Sequence, residues 1–301
     1  MIRVVPRKKI DIEKYDDCIA NSLQSNIFGF SWYLDIVADN WTALVLDDYE
    51  AVMPIPWRKK FFIKYTYQPY WVIQLGIYSK NIVDENEFLI ELFSEFKYTS
   101  LRMNHYNAFS MFHSYQIQKK IQILNLNIPY ERLFASYNRN RKRELKKANN
   151  ADLTENWNDN PKRLIELFEQ NVGKRVKKIK SEDYLRLYKL MNVCIENRAG
   201  ELLTIYDNQK ELISGAFFLK HKNRVTELVC SSDFNNRNNG ANTFLNDRAI
   251  YKYQRNFDVF DFGGSSMKNI AKYYYSFGAK DEFYVQLHCN KLPKILRLFK
   301  R

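Results

Sequence analysis

Glu201-Leu-Leu-Thr-Ile-Tyr-Asp-Asn-Gln-Lys-Glu-Leu-Ile-Ser-Gly-Ala-Phe-Phe218 reads as strand, polar turn, strand, and residues 224–231 follow as a third strand after the short His221-Lys-Asn-Arg224 turn. A helix carrying Phe244, Leu245 and Ala249 comes next, then a short strand, Val259-Phe-Asp-Phe262. The same order occurs earlier in the chain. Trp41-Thr-Ala-Leu-Val-Leu-Asp-Asp-Tyr-Glu-Ala-Val-Met-Pro-Ile-Pro-Trp57 supplies the first two strands and residues 71–78 the third. Phe88, Leu89, Leu92, Phe93 and Phe96 then give one helical face, and Leu101-Arg-Met-Asn104 the closing strand. One α/β unit is therefore read twice, an internal duplication.

Helices are expected before each meander. In the second copy Asn160 caps a helix with Pro161 at its first position, and Ser181 starts another whose stripe runs Tyr184, Leu187, Tyr188, Met191 and Cys194. In the first copy the corresponding helix is expected over 15–23. Two α/β domains fit a chain of 301 residues with 46% hydrophobic content. The copies differ between their second and third strands. The first carries an aromatic-rich insertion, Phe61-Phe-Ile-Lys-Tyr-Thr-Tyr-Gln-Pro-Tyr-Trp71, which either lines a pocket through Tyr67, Tyr70 and Trp71 or forms an edge hairpin.

No segment approaches the roughly 20 apolar residues that span a bilayer. The amino terminus has no long apolar run after its charges, so a cytoplasmic protein without stable membrane insertion is expected. Cys18, Cys194, Cys230 and Cys289 are far apart, with no C-x-x-C pair and no histidine at ligand spacing, which supports neither a disulfide framework nor a metal site. Cys230 is expected in the core. The formal charge of +13 fits an anionic partner, such as a phosphorylated substrate or RNA, where it is concentrated at a site; otherwise it reflects a lysine-rich composition.

Asp258-Val-Phe-Asp-Phe-Gly-Gly-Ser-Ser266 runs from an apolar strand through a glycine turn into a short aromatic helix. Gly263 and Gly264 allow a sharp bend and close backbone approach, and Ser265 or Ser266 can cap the helix that carries Tyr273, Tyr274 and Tyr275. The free N–H groups of that helix would face whatever lies beyond the strand end.

Three segments together resemble the Fem family of peptidoglycan peptidyltransferases and their relatives. They are Asn125-Leu-Asn-Ile-Pro-Tyr-Glu-Arg-Leu-Phe-Ala-Ser-Tyr-Asn-Arg-Asn-Arg-Lys-Arg-Glu-Leu-Lys-Lys-Ala148, the 200–218 meander, and the stretch from Asp261-Phe-Gly-Gly-Ser to Phe277-Gly278. The resemblance implies an α/β fold of two tandem GNAT-like domains, each a mixed, mostly antiparallel sheet flanked by helices. On that reading residues 1–127 form the first domain, 128–150 a basic connecting helix and 151–301 the second domain. It also implies transfer of an acyl or aminoacyl group to an amine, with an aminoacyl-tRNA donor and a peptidoglycan or other cell-wall precursor as acceptor in the type members. Tyr273, Tyr274 and Tyr275 stand where those enzymes tend to carry lysines, and the coiled-coil arm of several members is absent.

The basic run 138–147 places Arg141 inside an apolar stripe of Phe134, Tyr137, Leu145 and Ala148. A guanidinium turned inward needs either an internal carboxylate or a bound anion, each charge-assisted bond contributing about 1.5–3 kcal/mol. Arg139, Arg143 and Lys146 share a neighbouring face and are solvated or steer an anionic substrate. Arg237 and Gly240 match half of the loop that in GNAT enzymes holds the pyrophosphate of acyl coenzyme A, while Asn242 departs from it.

Acyl transfer to an amine needs a proton acceptor and stabilisation of an oxyanion. The four histidines form no nucleophilic set with serine or cysteine. Glu227 lies between Val225 and Val229 on one face of the third strand by alternation, where GNAT enzymes often place their base; Asp261 is the rival, and Gln74 occupies the equivalent place in the first copy. Expected substrate contacts are Arg141, Arg139, Gly263, Gly264, Ser265, Tyr273, Tyr275 and the insertion aromatics. The alternatives are a coenzyme A dependent N-acetyltransferase and a non-catalytic module binding RNA or another anion.

Overall fold

The computed structural model describes residues 1–60, 62–176, 179–235, 238–264 and 268–293. The chain divides into two compact units, Met1–Lys119 with Phe283–Arg301, and Lys120–Glu282. This division differs from the expected cuts at 127 and 150. The basic helix belongs wholly to the second unit, and the chain's last strand returns to the first.

In the first unit β1 (Ile2–Pro6) is followed by α1 (Ile12–Asn21) and α2 (Ser31–Val37). The Asp11 carboxylate accepts the Lys14 N–H at 3.2 Å and so starts α1 three residues ahead of the expected 15–23. The strands β2 (Trp41–Leu46), β3 (Ala51–Lys60), β4 (Ile63–Thr66) and β5 (Tyr78–Ser79) come next. They join β1 in one antiparallel sheet, ordered β1-β2-β3-β4 with β5 also on β3. Helix α3 (Glu85–Glu95) buries Phe88, Leu89, Leu92 and Phe93 as its 3.6-residue spacing predicts. The closing strand β6 (Tyr98–Arg102) pairs with residues 286–290.

The expected third strand over 71–78 is reduced to the two residues of β5. Val72, Leu75 and Ile77 are buried as a strand would bury them, but their backbone groups are not paired in a ladder: Leu75 N–H donates to the Arg102 carbonyl at 2.8 Å and Gln68 Nε2 donates to the Val72 carbonyl at 3.0 Å. Asn107 Nδ2 donates to the Ile77 carbonyl and Asn107 Oδ1 accepts its N–H, both at 3.0 Å. The insertion forms an edge hairpin, with Lys60 opposite Ile63 and Trp57 opposite Thr66.

The second unit begins within β7 (Gln116–Asn125) and continues through α4 (Tyr130–Ser136), α5 (Arg139–Asn150), β8 (Thr154–Asn156), α6 (Pro161–Gln170) and α7 (Ser181–Glu196). Then come β9 (Gly200–Tyr206), β10 (Leu212–His221), β11 (Arg224–Ser232), α8 (Ala241–Tyr253), β12 (Val259–Asp261), α9 (Lys268–Tyr275) and β13 (Lys280–Asn290). Its strand order is β7-β12-β11-β10-β9-β8; β11 and β12 run parallel, joined by α8 as a crossover, and the other pairs are antiparallel. Asn160 accepts the Lys162 N–H at 2.9 Å with Pro161 opening α6, as expected. One apolar core under this sheet includes Leu133, Tyr137, Leu145, Phe218, Ile250 and Phe260. Burial contributes about 1.5–3 kcal/mol for each large side chain of this kind.

Candidate functional site

The β10–β11 ladder slips by one residue. Phe217 faces Val229 while Phe218 faces Glu227, so Leu228 is extra on β11. This bulge breaks the alternation expected for Val225, Glu227 and Val229, and it sits beside the most perturbed carboxyl of the strand. Glu227 is 4% exposed, and its Oε2 has no hydrogen-bond partner among the described residues. Burial pushes its pKa up to about 8; the Cys230 thiol, a hydrogen-bonding neighbour, draws it down, and the Asp261 charge raises it further.

Cys230 is not simply core. Its thiol lies 3.6 Å from Asn242 Oδ1 as well as beside Glu227, and burial together with the Glu227 charge keeps it protonated. It is therefore a poor nucleophile. Asp261, on the neighbouring strand, has other work. Its Oδ1 accepts the Gly263 N–H at 2.9 Å and its Oδ2 lies 3.5 Å from the Arg224 guanidinium. Burial raises its pKa to about 6, Arg224 opposing. With a backbone N–H and a guanidinium already engaged, Asp261 fixes the glycine turn, whereas Glu227 Oε2 has no partner among the described residues.

Arg141 turns inward, as the stripe requires. Asn138 caps α5 by accepting the Arg141 N–H at 3.0 Å, which sets the rotation of that helix. Leu133, Tyr137, Leu145 and Ala148 form the buried face; Phe134, expected there, is 37% exposed because the chain breaks between α4 and α5. The guanidinium meets no carboxylate among the described residues. Its Nη1 donates to Thr243 Oγ1, and its Cζ lies 4.6 Å from the Tyr273 ring centroid and 5.7 Å from that of Phe277. Its Nε is buried without a partner among the described residues.

Tyr273 ties the two halves of this cluster together. Burial raises its pKa, Arg141 and Thr243 lower it, and the Cys230 and Glu227 charges raise it again. Its hydroxyl accepts from Asn246 Nδ2 at 3.4 Å, while Asn246 Oδ1, on a residue 1% exposed, is also unpartnered among the described residues. Tyr274 stacks on Phe262 at 4.5 Å, and its hydroxyl pKa is raised by burial and by Glu227. Sequence reading missed Thr243, Asn246 and Cys230 as parts of the cluster. The spacing Asn242, Thr243, Asn246 on one helix was the available signal.

Other expected residues lie elsewhere. Arg139 is exposed. Tyr275 faces away from Tyr273, its hydroxyl donating to Asp281 Oδ1 and accepting from Lys120 Nζ at 3.1 Å. Gly263 and Gly264 both have left-handed φ, 70° and 68°, and a Cβ on Gly264 would stand 2.2 Å from Ile121 Cγ2. Gly240 caps α8 at φ 81°, where a Cβ would stand 2.2 Å from the Glu144 carbonyl oxygen, so close packing on α5 requires this glycine. Arg237 and Ser265, with Ser266 and Phe61, lie outside the described residues. Tyr67, Tyr70 and Trp71 belong to the first unit: Arg58 lies 4.0 Å over the Tyr67 ring, the Tyr67 hydroxyl accepts the Asp39 N–H, and the Trp71 carbonyl accepts the Tyr33 hydroxyl. Gln74 is buried there, its Nε2 unpartnered among the described residues.

The cluster thus holds an acceptor, Glu227 Oε2, and a cationic donor, Arg141 Nε, both desolvated. Leaving a buried polar atom unpaired costs about 1–3 kcal/mol, more for charged groups. Among the described residues no group of three or more His, Cys, Asp or Glu side chains could hold a metal ion, and no helix is long and apolar enough to cross a membrane.

No protein-family model and no curated protein matches this chain. Solved structures do. FemX is 12% identical with a TM-score of 0.64, covering 97% of this chain and 99% of its own. A tandem GNAT protein from the clavulanic acid biosynthesis pathway is 8% identical with a TM-score of 0.55, over 98% of this chain and 100% of its own. L-PGS from Bacillus licheniformis is 10% identical with a TM-score of 0.54, over 96% and 95%. The likeness is one of fold: this chain has the Fem/GNAT-like acyltransferase fold, with two GNAT-like domains and mixed, mostly antiparallel sheets.

Proposed function

We propose that the second unit transfers an acyl or aminoacyl group directly to an amine on an anionic acceptor, with Glu227 as proton acceptor. One observation carries this reading, the buried Glu227 carboxyl whose Oε2 has no hydrogen-bond partner among the described residues, beside a strand bulge. The amine nitrogen attacks the donor carbonyl carbon, Glu227 takes the amine proton, and the donor's oxygen or sulfur leaves with the bonding pair. A pKa near 8 leaves a fraction of Glu227 ionised at neutral pH and makes that fraction a strong base. Arg141 holds an anionic group of the acceptor, a role suited to a cell-wall precursor. Cys230, kept as a thiol, argues for direct transfer over a covalent acyl-enzyme.

The donor is a thioester of coenzyme A or an aminoacyl ester of tRNA, and one experiment separates them. The protein is incubated with acetyl coenzyme A, or with a tRNA pool charged with labelled amino acids, together with a peptide bearing a lysine amine and a carboxylate. Amide product is read by mass spectrometry for the wild type and Glu227→Gln. Product from one donor that falls at least about a hundredfold in the variant is the expected result. Absence of product from both donors, or equal product from the variant, contradicts the assignment.

A further inference from the structure

A cavity of about 370 Å³ lies in the same unit, at the opposite end of α8 from Thr243. Its walls come from separate elements: Arg198 between α7 and β9, Glu201 at the start of β9, Lys220 and His221 at the end of β10, Lys222 in the turn beyond, and Lys252 in the last turn of α8, above Phe257. From Thr243 to Lys252 a helix rises about 14 Å at 1.5 Å per residue, so this cavity is separate from the cluster around Glu227.

Its charged lining is mostly cationic. Glu201 is the one carboxylate in the lining, and it is occupied: Lys220 Nζ lies 2.7 Å and Lys252 Nζ 2.9 Å away, and the Tyr253 hydroxyl donates to it at 2.8 Å. These bonds outweigh burial and hold its carboxyl below the ordinary range. Lys252 also lies 3.7 Å over the Trp157 ring, which fixes it in place. Four cations, Arg198, Lys220, Lys222 and Lys252, and one carboxylate therefore line this cavity. Burial lowers the pKa of Lys222, and burial with the Lys222 charge pushes His221 down to about 4, so the imidazole is neutral and adds no repulsion. Partly desolvated cations in a concave wall attract an anion more strongly than the same charges on a flat surface.

We infer that this cavity is a binding site for a small organic phosphate carrying two or more negative charges, with a ring system lying along Phe257. The volume sits at the lower end of the range for small-molecule clefts. Arg198 and Lys222 contact the terminal phosphate, and Lys220 and Lys252 contribute while remaining on Glu201. The site is independent of the acyl-transfer reading and no step of that chemistry passes through it.

The test is isothermal titration calorimetry of the whole chain with ADP, inorganic pyrophosphate and adenosine, on the wild type and on the double variant Arg198→Glu, Lys222→Glu. Both substituted side chains are exposed, so the variant keeps its fold, and circular dichroism checks this. ADP is expected to bind at one site per chain, pyrophosphate more weakly, and adenosine without saturation. The double variant is expected to lose at least about tenfold in ADP affinity. Absence of saturable ADP binding, or unchanged affinity in the variant, overturns the assignment. So does a single-stranded oligoribonucleotide that binds the wild type, loses affinity in the variant and is not displaced by ADP, because the cavity would then be a nucleic-acid backbone contact.

Discussion

The Arg141 guanidinium lies 4.6 Å from the Tyr273 ring centroid, an inward cation on a ring face with no carboxylate partner among the described residues. With Thr243 accepting from Nη1 and Nε unpaired among the described residues, the charge is only partly compensated. An acceptor carboxylate or phosphate would complete it. Arg141→Ala should therefore lower transfer at least about tenfold through KM, while thermal stability changes by less than about 1 kcal/mol, because the variant also removes a buried unpaired N–H. Arg141→Lys should not restore transfer, since an ammonium cannot bond Thr243, lie on the ring and present a second planar donor at once. Steady-state kinetics across the three proteins checks this.

Tyr273 and Tyr275 are two residues apart on α9 and face different surroundings. Tyr275 sits with Lys120 and Asp281 at an exposed site, where such contacts contribute little. Tyr275→Phe should leave transfer unchanged and shift Tm by less than about 2 °C. Tyr273→Phe should reduce transfer with the fold intact.

The glycine turn makes a stability prediction. Gly264→Ala places a Cβ 2.2 Å from Ile121 Cγ2 at a backbone φ of 68°, so both packing and conformation oppose it. A loss of about 2–4 kcal/mol is expected by urea unfolding, with Gly240→Ala comparable because its clash is with a backbone carbonyl.

The meander of the second copy, the capped helix at Asn160-Pro161 and the inward Arg141 were legible, because strand alternation, cap chemistry and helical stripes are local. The bulge at Leu228 was not legible. Nothing in Val225-Thr-Glu-Leu-Val229 marks which residue leaves the ladder, since the slip is decided by the partner strand at Phe217 and Phe218. The short β5 escaped for a similar reason: residues 72–77 are as apolar as a strand, but Asn107, thirty residues on from Ile77, takes up its backbone groups. The exit of the last strand to the first unit left no local sign either, because strand partners are chosen in three dimensions.

Glu227 makes stability depend on pH in a definite sense. Its folded-state pKa of about 8 stands above the ordinary glutamate value of 4.5, so between these values the folded state holds a proton that the unfolded state has released, and stability falls as pH rises. Glu227→Gln removes this dependence. The variant should gain in Tm over the wild type as pH goes from 5 to 8, with the gain levelling off above about 8. A constant difference across that range would place the carboxyl in water.

The most direct test is the titration of the Glu227 carboxyl itself, followed by carbon-13 NMR of protein labelled at glutamate side-chain carboxyls, with the Glu227→Gln spectrum identifying the signal. The buried, acceptor-open carboxyl requires a midpoint near 8. A midpoint near 4.5 would show an ordinary solvated glutamate and remove the proton acceptor on which the proposed chemistry depends.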